Sequence, residues 1–174
     1  MPLPINTHGS LRPRFSETVH GGRPVSIGMR TLALLFVMSV ASAADMSSLS
    51  RQTFDEVNQY RRDAGLAPLR WSAAAANEAR KHCMAVASGR RAMGHDGFDQ
   101  RMAQLRKQVS LSSGAENIAS LAPVGDLPSR AVDLWAGSRG HRRNMEGNYQ
   151  VTGVGAAAAR NGQVCVTQIF LGNN

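Results

Sequence analysis

The sequence predicts an α+β domain, because helix-forming segments come first and an antiparallel hairpin comes last. The alanine-rich run from Ser72 to Ser88 has a strong helix propensity. Near the carboxyl terminus, Asn161-Gly162 separates two runs of β-forming residues, which is a strong signal for a hairpin. A hydrophobic content of 43% over 174 residues suits one folded domain and excludes a disordered chain.

The sequence predicts that the amino-terminal part of the chain is not part of the folded domain. Residues 1–28 have no helical or strand periodicity, so we expect a disordered leader that is not part of the working protein. Residues 29–43 have the layout of a secretory signal peptide, with a basic start, an apolar run and Ala41-Ser42-Ala43 as the cleavage signal. The apolar run is about half of the roughly 20 residues that a membrane span needs. We therefore expect a secreted or periplasmic chain of residues 44–174 that has no transmembrane span.

The charge of this mature chain bears on its partners. Residues 44–174 keep 16 of the 20 Lys and Arg residues and 11 of the 12 Asp and Glu residues, so their net charge is about +5. An exported, arginine-rich protein meets anionic envelope polymers and lipid headgroups more readily than nucleic acid. The alternative is that the positive charge only provides a soluble surface.

Four helices are predicted along the mature chain. Residues 49–64 form the first, with Ser50 as its N-cap, and residues 73–88 form the second, with Ser72 as its N-cap. A short helix around Phe98–Leu105 follows the glycine-rich segment GHDG. Pro128 is expected in the first turn of the fourth helix, which buries Val132 and Trp135.

The remaining segments predict extended structure. SSGAENIASL is expected to be a strand or an extended loop. In the second strand of the hairpin, Val164 and Val166 alternate with Cys165 and Thr167, so its two faces should differ. Cys83 should point inward from the alanine-rich helix, and an even cysteine count in an exported chain favours a Cys83–Cys165 disulfide over two separate buried thiols.

Three side chains are the candidates for chemistry. His95 in MGHDGF and His141 in SRGHRRN both follow glycine and are expected in loops, and Glu116 lies in GAENIA. His82 lies within the alanine-rich helix. The three candidates have no compact metal-ligand spacing, so the residues alone leave open whether they share a site.

A serine nucleophile is disfavoured. Residues 136–140, AGSRG, approximate the G-x-S-x-G elbow, but alanine replaces the first glycine. The elbow follows a strand, whereas a helix is predicted before Ser138. His141 is only three residues further on, and the partners in a catalytic triad usually come from distant elements.

Five segments occur in a specific order, and in this combination they resemble the CAP superfamily of cysteine-rich secretory, antigen 5 and pathogenesis-related proteins, in its bacterial SCP-like branch. The segments are GHDGFDQRM, GAENIA, AVDLWAGSRGHRRNM, GVGAAAA and VTQIF. The resemblance runs from about Phe54 to Phe170. It implies that residues 44–174 form a single CAP-like domain, a three-layer α-β-α sandwich with a central antiparallel sheet.

The resemblance also implies a cleft with two histidines that can hold a divalent metal. His95 and His141 match the histidines, and Glu116 matches the first acid. Ser138 stands where the full pattern has a second acid, which should weaken cation binding because a hydroxyl supplies no charge. The residues expected to support the cleft are Ser138, Asn117 and Asn144.

Two functions are then expected, of which we favour the first. One is an extracellular binding or interaction module that holds zinc or another divalent cation weakly. The other is a metal-dependent hydrolase in which Glu116 acts as a general base on a metal-bound water. The partner expected for the module is an extracellular or envelope ligand, such as a lipid or an anionic polymer, and the sequence identifies no particular one.

Overall fold

The computed structural model describes residues 43–173, so the predicted leader and the predicted signal peptide, apart from Ala43, lie outside the described residues. Helices and strands follow one another along this part of the chain. The helices are α1 (Ala43–Asp63), α2 (Ala73–Ala87), α3 (Phe98–Arg106), α4 (Leu127–Gly137) and α5 (Arg139–Glu146); the strands are β1 (Arg70–Trp71), β2 (Ser113–Leu121), β3 (Val151–Ala158) and β4 (Val164–Gly172). Within the described residues, no helix combines the length and the apolar composition needed to cross a membrane.

The strands form one sheet in the order β1-β3-β4-β2. β3 and β4 form the predicted hairpin, and β2 pairs with the other side of β4; both pairings are antiparallel. β1 contributes only two residues and pairs with β3 in parallel. The predicted antiparallel sheet is therefore confirmed for its three long strands, and the short parallel strand is a feature that the sequence did not predict.

β4 lies inside the sheet and is buried along its whole length. Val166 and Phe170 join one core with residues of α1 and α4. Cys165 and Ile169 face the opposite way and pack with residues of α2 and α3. Because helices cover both faces, the alternation along β4 separates two apolar cores and not a core from solvent. The predicted three-layer sandwich is confirmed.

α1 begins earlier than the sequence predicted. Ser50 lies inside this helix and is not its N-cap, so that prediction was wrong. The Ser50 hydroxyl donates a hydrogen bond to the carbonyl of Met46, 2.8 Å away. A serine inside a helix commonly bonds back to the carbonyl four residues earlier, so the residue type alone does not mark a cap. Val57 and Arg61 lie on the inward face of α1 and are buried.

The other predicted helix features are confirmed. The Ser72 hydroxyl accepts a hydrogen bond from the Ala75 amide at 3.2 Å and caps α2. Pro128 lies in the first turn of α4, where a missing amide hydrogen does not matter, and Trp135 of the same helix is fully buried. α3 forms where the short helix was predicted, and it buries Leu105.

α2 lies against β3 at backbone contact distance. A Cβ atom on Gly155 would be 2.6 Å from the carbonyl carbon of Ala79, and one on Gly153 would be 2.8 Å from the Cβ of Ala75. Real Cβ atoms essentially never come so close to other heavy atoms. Glycine on the strand and alanine on the helix are therefore what allows these two layers to meet.

The predicted disulfide is confirmed and lies in the same layer contact. It joins Cys83 of α2 to Cys165 of β4, and the two Cα atoms are 5.3 Å apart. The sequence separation is 82 residues. A cross-link that closes a loop of this size stabilises a fold by about 4 to 5 kcal/mol in the chain-entropy model.

Replacing Gly155 with alanine should destabilise the protein, because the added methyl group meets the backbone of α2 and neither layer can yield cheaply. We expect a loss of about 1 to 3 kcal/mol in the free energy of unfolding, measured by urea denaturation. Gly140→Ala is the matched control, since a Cβ there has nothing within 4 Å. Equal stability of Gly155→Ala and the wild type would show that the contact between α2 and β3 is not tight.

Candidate functional site

The candidate site lies at an edge of the sheet, around β2. Glu116 pairs with Ile169 of β4, and Asn117 pairs with Gln168. Successive side chains of a strand point to opposite faces, so Glu116 faces the layer of α2 and α3 while Asn117 faces the layer of α4 and α5. We call His95, Glu116 and His141 the edge site, because the two histidines approach this strand from opposite layers.

Glu116 is held by Arg101 of α3. The guanidinium donates two hydrogen bonds to the carboxylate, one from Nε to Oε2 at 2.8 Å and one from Nη2 to Oε1 at 2.7 Å. The side chains of Glu116 and Arg101 are only 2% and 8% exposed. A bidentate pair of this kind compensates the two opposite charges within the interior.

Arg101 also contacts His82 of α2. Arginine has no acceptor, so His82 Nδ1, which is 3.2 Å from Arg101 Nη1, must accept. The other ring nitrogen, Nε2, then carries the proton and donates to the carbonyl of Gly94 at 2.9 Å. Burial lowers the pKa of His82, and the positive charge of Arg101 lowers it further. His82 is thus held in its neutral form and fixes the segment that precedes His95.

His95 lies in the connection before α3, in a loop as predicted. Its Nδ1 is 3.0 Å from Glu116 Oε1, and since a carboxylate can only accept, this nitrogen donates. Arg101 Nη1 donates to the carbonyl of Asp96 at 3.0 Å, which secures the loop from the other side. The His95 side chain is 52% exposed, so its Nε2 remains accessible to a ligand.

His141 approaches from the opposite layer and lies on a helix. The prediction of a loop was wrong, because residues 139–146 form α5 directly after α4. Asn117 donates to the carbonyl of His141 at 3.0 Å. Asn144, also on α5, donates to the carbonyl of Glu116 at 3.2 Å and to Oδ1 of Asn117 at 2.9 Å. These bonds attach α5 to the edge strand.

The two imidazoles face each other without touching. The centres of the His95 and His141 rings are 6.3 Å apart, and their planes are inclined by 61°. Two imidazoles on one tetrahedral zinc ion have ring centres about 5 Å apart, so shared coordination requires a closure of about 1 Å. Burial lowers the pKa of His141, and His95 lowers it further. The lowered pKa favours the neutral form that a metal needs.

The structure places the other candidate residues as follows. Ser138 is half-buried between α4 and α5, and its side chain makes no capping hydrogen bond. Asn117 and Asn144 join the edge strand to α5. Across residues 43–173, no group of three or more His, Cys, Asp or Glu side chains is arranged to hold a metal ion. The arrangement thus offers two imidazoles and a carboxylate that is already paired.

The sequence reasoning missed Arg101 and His82, which hold the site together. Arg101 is three residues after Phe98 and four before Leu105, so helical periodicity places it on the inward face of α3. An arginine on an apolar helical face is the signal that would have identified a buried ion pair. His82 follows the inward-facing Ala79 by three residues, but its partner comes from a distant helix.

Comparison with known proteins gives a family and a fold. The model of the cysteine-rich secretory protein (CAP) family matches residues 54–170. A search of curated protein sequences gives no match.

Solved structures agree on the architecture. An outer surface protein of Borrelia burgdorferi superposes with a TM-score of 0.64 at 17% identity, covering 75% of this chain and 96% of the other. An extracellular protein of Bacillus anthracis that contains an SCP domain gives 0.61 at 24%, covering 76% and 44%. A cysteine-rich secretory protein of Staphylococcus aureus gives 0.59 at 18%, covering 75% and 40%. At these identities the comparison shows the fold alone, and the chain spans less than half the length of the last two.

The neutral histidines make stability depend on pH. Their native pKa values lie below the unfolded value of about 6.5, so the unfolded chain binds more protons as the pH falls. The contribution of these two histidines to the free energy of unfolding is therefore fully present above pH ~6.5 and is lost as the pH falls below it. His82→Gln should make this loss shallower, because an amide can donate to Gly94 and accept from Arg101 without titrating. Urea midpoints at pH 7.5 and 5.5 measure the difference, and equal slopes in both proteins would rule out His82 as a source.

Proposed function

Because the chain belongs to the cysteine-rich secretory protein family, we propose that it is an extracellular binding module and not a hydrolase. Its ligand docks at the edge site, where His95 and His141 present accessible imidazoles. The observation that carries this proposal is the pairing of Glu116 with Arg101.

A general base must be free to accept a proton from the reacting group. Both oxygens of Glu116 already accept hydrogen bonds from Arg101, and Oε1 also accepts one from His95. Hydrolytic zinc sites use three protein ligands and leave the fourth position to water. The edge site offers two imidazoles, and its carboxylate could join a metal only by leaving Arg101 with an unpaired buried charge. These contacts support ligand binding over metal-dependent hydrolysis.

Two imidazoles suffice for reversible binding of zinc or a similar divalent cation. His95 directs its Nδ1 to Glu116, and this second partner fixes the ring and leaves Nε2 as the ligating atom. The chemistry that a metal would supply here is a positive charge that attracts an anionic ligand. We expect weak binding, because two protein donors leave most of the coordination to water.

The charges around His141 favour an anionic ligand. Arg139, Arg142 and Arg143 are exposed on the same short helix. The one buried acid of the edge site, Glu116, is compensated by Arg101. Phosphate groups of envelope lipids or envelope polymers are the anions that an exported protein meets, and they share the chemistry that arginine recognises.

Ser138→Glu should raise the affinity for zinc. Ser138 precedes His141 by three residues at the start of α5, so a longer acidic side chain can reach the space next to the imidazole. One added carboxylate near a divalent cation should increase the affinity about tenfold. Isothermal titration calorimetry measures it, with Ser110→Glu as a control that adds the same charge in an exposed segment.

Variants of the two histidines test the same zinc site. His95→Ala or His141→Ala should abolish zinc binding, and binding should weaken below pH ~6 because protons compete for the imidazoles. Unchanged affinity in Ser138→Glu would mean that residue 138 does not face the two rings.

Replacing Arg142 and Arg143 together with glutamine should weaken binding to vesicles that contain phosphatidylglycerol. We expect a loss of about tenfold or more, since each arginine near an anionic surface contributes about 1 kcal/mol. Binding of the wild type should fall as salt rises. Co-sedimentation at several salt concentrations measures both effects.

The control for this experiment is Arg106→Gln with Arg160→Gln, which removes the same charge from exposed positions on α3 and in the hairpin turn. Soluble polyphosphate distinguishes the two sources of phosphate: strong competition favours a polymer, and weak competition favours a lipid surface. Equal losses in the two double variants would show that a diffuse basic surface, and not α5, attracts the anion.

A further inference from the structure

A second pocket lies where the connection after α1 meets the segment after α5. Its volume is about 420 Å³. Residues 66–68 line it from the connection, and residues 147–150 line it from the segment between α5 and β3. Arg61 of α1 and Arg70 of β1 line it as well, and we call it the Arg61 pocket. It shares no residue with the edge site.

Arg61 carries a buried charge that no carboxylate compensates. Its exposed fraction is 4%. Among residues 43–173, its guanidinium forms no ion pair with an Asp or Glu side chain, whereas the buried Arg101 pairs with Glu116. Burial lowers the pKa of Arg61, because the charged form loses solvation. The charge of Arg61 thus lacks the partner that buried ions in proteins usually have.

Three carbonyl groups fix the position of this guanidinium. Nε donates a hydrogen bond to the carbonyl of Ala67 at 2.8 Å, and Nη1 donates to the carbonyls of Met145 and Gly147. Met145 and Gly147 lie at the carboxyl-terminal end of α5, where carbonyl groups have no partner within the helix. These oxygens satisfy the N–H groups but carry only partial negative charge, so they do not neutralise the guanidinium.

The remaining nitrogen of Arg61, Nη2, faces the pocket. It donates to no atom of the described residues. In that part of the chain, the fully buried side-chain atoms without a hydrogen-bond partner belong to Trp135 and Gln168, so solvent reaches Nη2. Because Arg61 lines this pocket, the pocket is the space into which Nη2 directs its two N–H groups.

The other charges in the lining give the pocket a small positive charge. Arg70 is exposed, and its guanidinium forms no ion pair with the described residues. Glu146 is the one acid among the described residues of the lining, and its Oε1 accepts a hydrogen bond from the Tyr60 hydroxyl at 2.6 Å. Two arginines and one carboxylate leave a net charge of +1. This charge matches one negative charge on a ligand.

We propose that the Arg61 pocket binds a carboxylate that carries a short apolar group. The two oxygens of a carboxylate accept hydrogen bonds from guanidinium groups, here from Nη2 of Arg61 and from Arg70. Leu66, Pro68 and the Tyr149 ring provide apolar surface for the rest of the ligand. A phosphate group, which carries nearly two charges at neutral pH, is a poorer match for the net charge. This site goes beyond the proposed function and does not depend on it.

Two probes represent the two sources of such a carboxylate. Isovalerate represents a free short-chain acid, and N-acetyl-leucine represents the carboxyl end of a polypeptide. NMR titration of the isotope-labelled protein measures their affinities, which should lie in the millimolar range because small ligands make few contacts. The corresponding amides, isovaleramide and N-acetyl-leucinamide, lack the charge and should bind at least about tenfold more weakly. The acid that binds more tightly identifies the source.

Variants of the protein locate the bound carboxylate. Arg70→Gln should weaken isovalerate binding about fivefold to tenfold, since one of the two guanidinium partners is lost. Arg106→Gln removes the same charge from an exposed position on α3 and should bind isovalerate like the wild type. Glu146→Gln should raise the affinity for inorganic phosphate more than that for isovalerate, because repulsion grows with the charge of the anion.

Arg61 itself is followed in the unaltered protein, because its bonds to three carbonyls hold the end of α5 in place. Isovalerate should shift the NMR signals of the Arg61 Nε–H group and of the Tyr149 and Gln150 amides. The proposal is overturned if neither acid binds, if acid and amide bind equally, or if Arg70→Gln and Arg106→Gln weaken binding to the same extent. Binding that leaves the Arg61 Nε–H signal unchanged would place the anion elsewhere, and phosphate that binds as tightly as isovalerate would contradict the selectivity for a carboxylate.

Discussion

The close contact between α2 and β3 is the constraint on which the rest of the structure depends. Gly153 and Gly155 remove the side chains that would separate the two layers, and the disulfide of Cys83 holds the far end of the helix to β4. His82 precedes Cys83 by one residue, so the position of α2 also determines where the His82 imidazole lies. The geometry of the edge site thus follows from a packing contact on the strand that lies two places away in the sheet.

The interior of the site is organised by charge rather than by apolar packing. Burying a carboxylate and a guanidinium costs solvation, and their attraction offsets that cost only when the remaining polar atoms also find partners. Arg101 meets this condition through Glu116, His82 and the carbonyl of Asp96. A buried pair with such directional partners defines one arrangement of the loop that carries His95. The accessible imidazole is consequently positioned by groups that are buried in the interior.

The sequence predicted most of the fold because each element has a local signal. Ser72 next to an alanine run, and Asn161-Gly162 between two β-rich runs, specify structure through their neighbours alone. The start of α1 and the helical conformation of α5 were not predicted, since Ser50 and the glycines around Ser138 are equally typical of caps and turns. Propensity is a weak guide where tertiary contacts, such as those of Asn144 with β2, decide the outcome.

The candidate site was predicted less completely than the fold. Glycine-flanked histidines and a lone acid identified His95, Glu116 and His141, but their partners depend on distances that spacing along the chain does not encode. Arg101 belongs to a helix, and Asn117 faces away from its neighbour Glu116, so both required the three-dimensional arrangement. Residue types indicate which functional groups are available. Only the assembled layers show which of these groups already bind other residues of the protein.

The alternation at Glu116 and Asn117 has a consequence for the register of β2. These two neighbours connect separate halves of the molecule, the acid to the α2–α3 layer and the amide to α5. A shift of β2 by one residue against β4 would exchange their directions, placing the acid against α5 and the amide against Arg101. This chain should therefore tolerate a one-residue insertion in the connection before Ser113 better than one within the strand itself. The register between β2 and β4 is therefore the single quantity that decides whether the acid meets Arg101 and the amide meets α5.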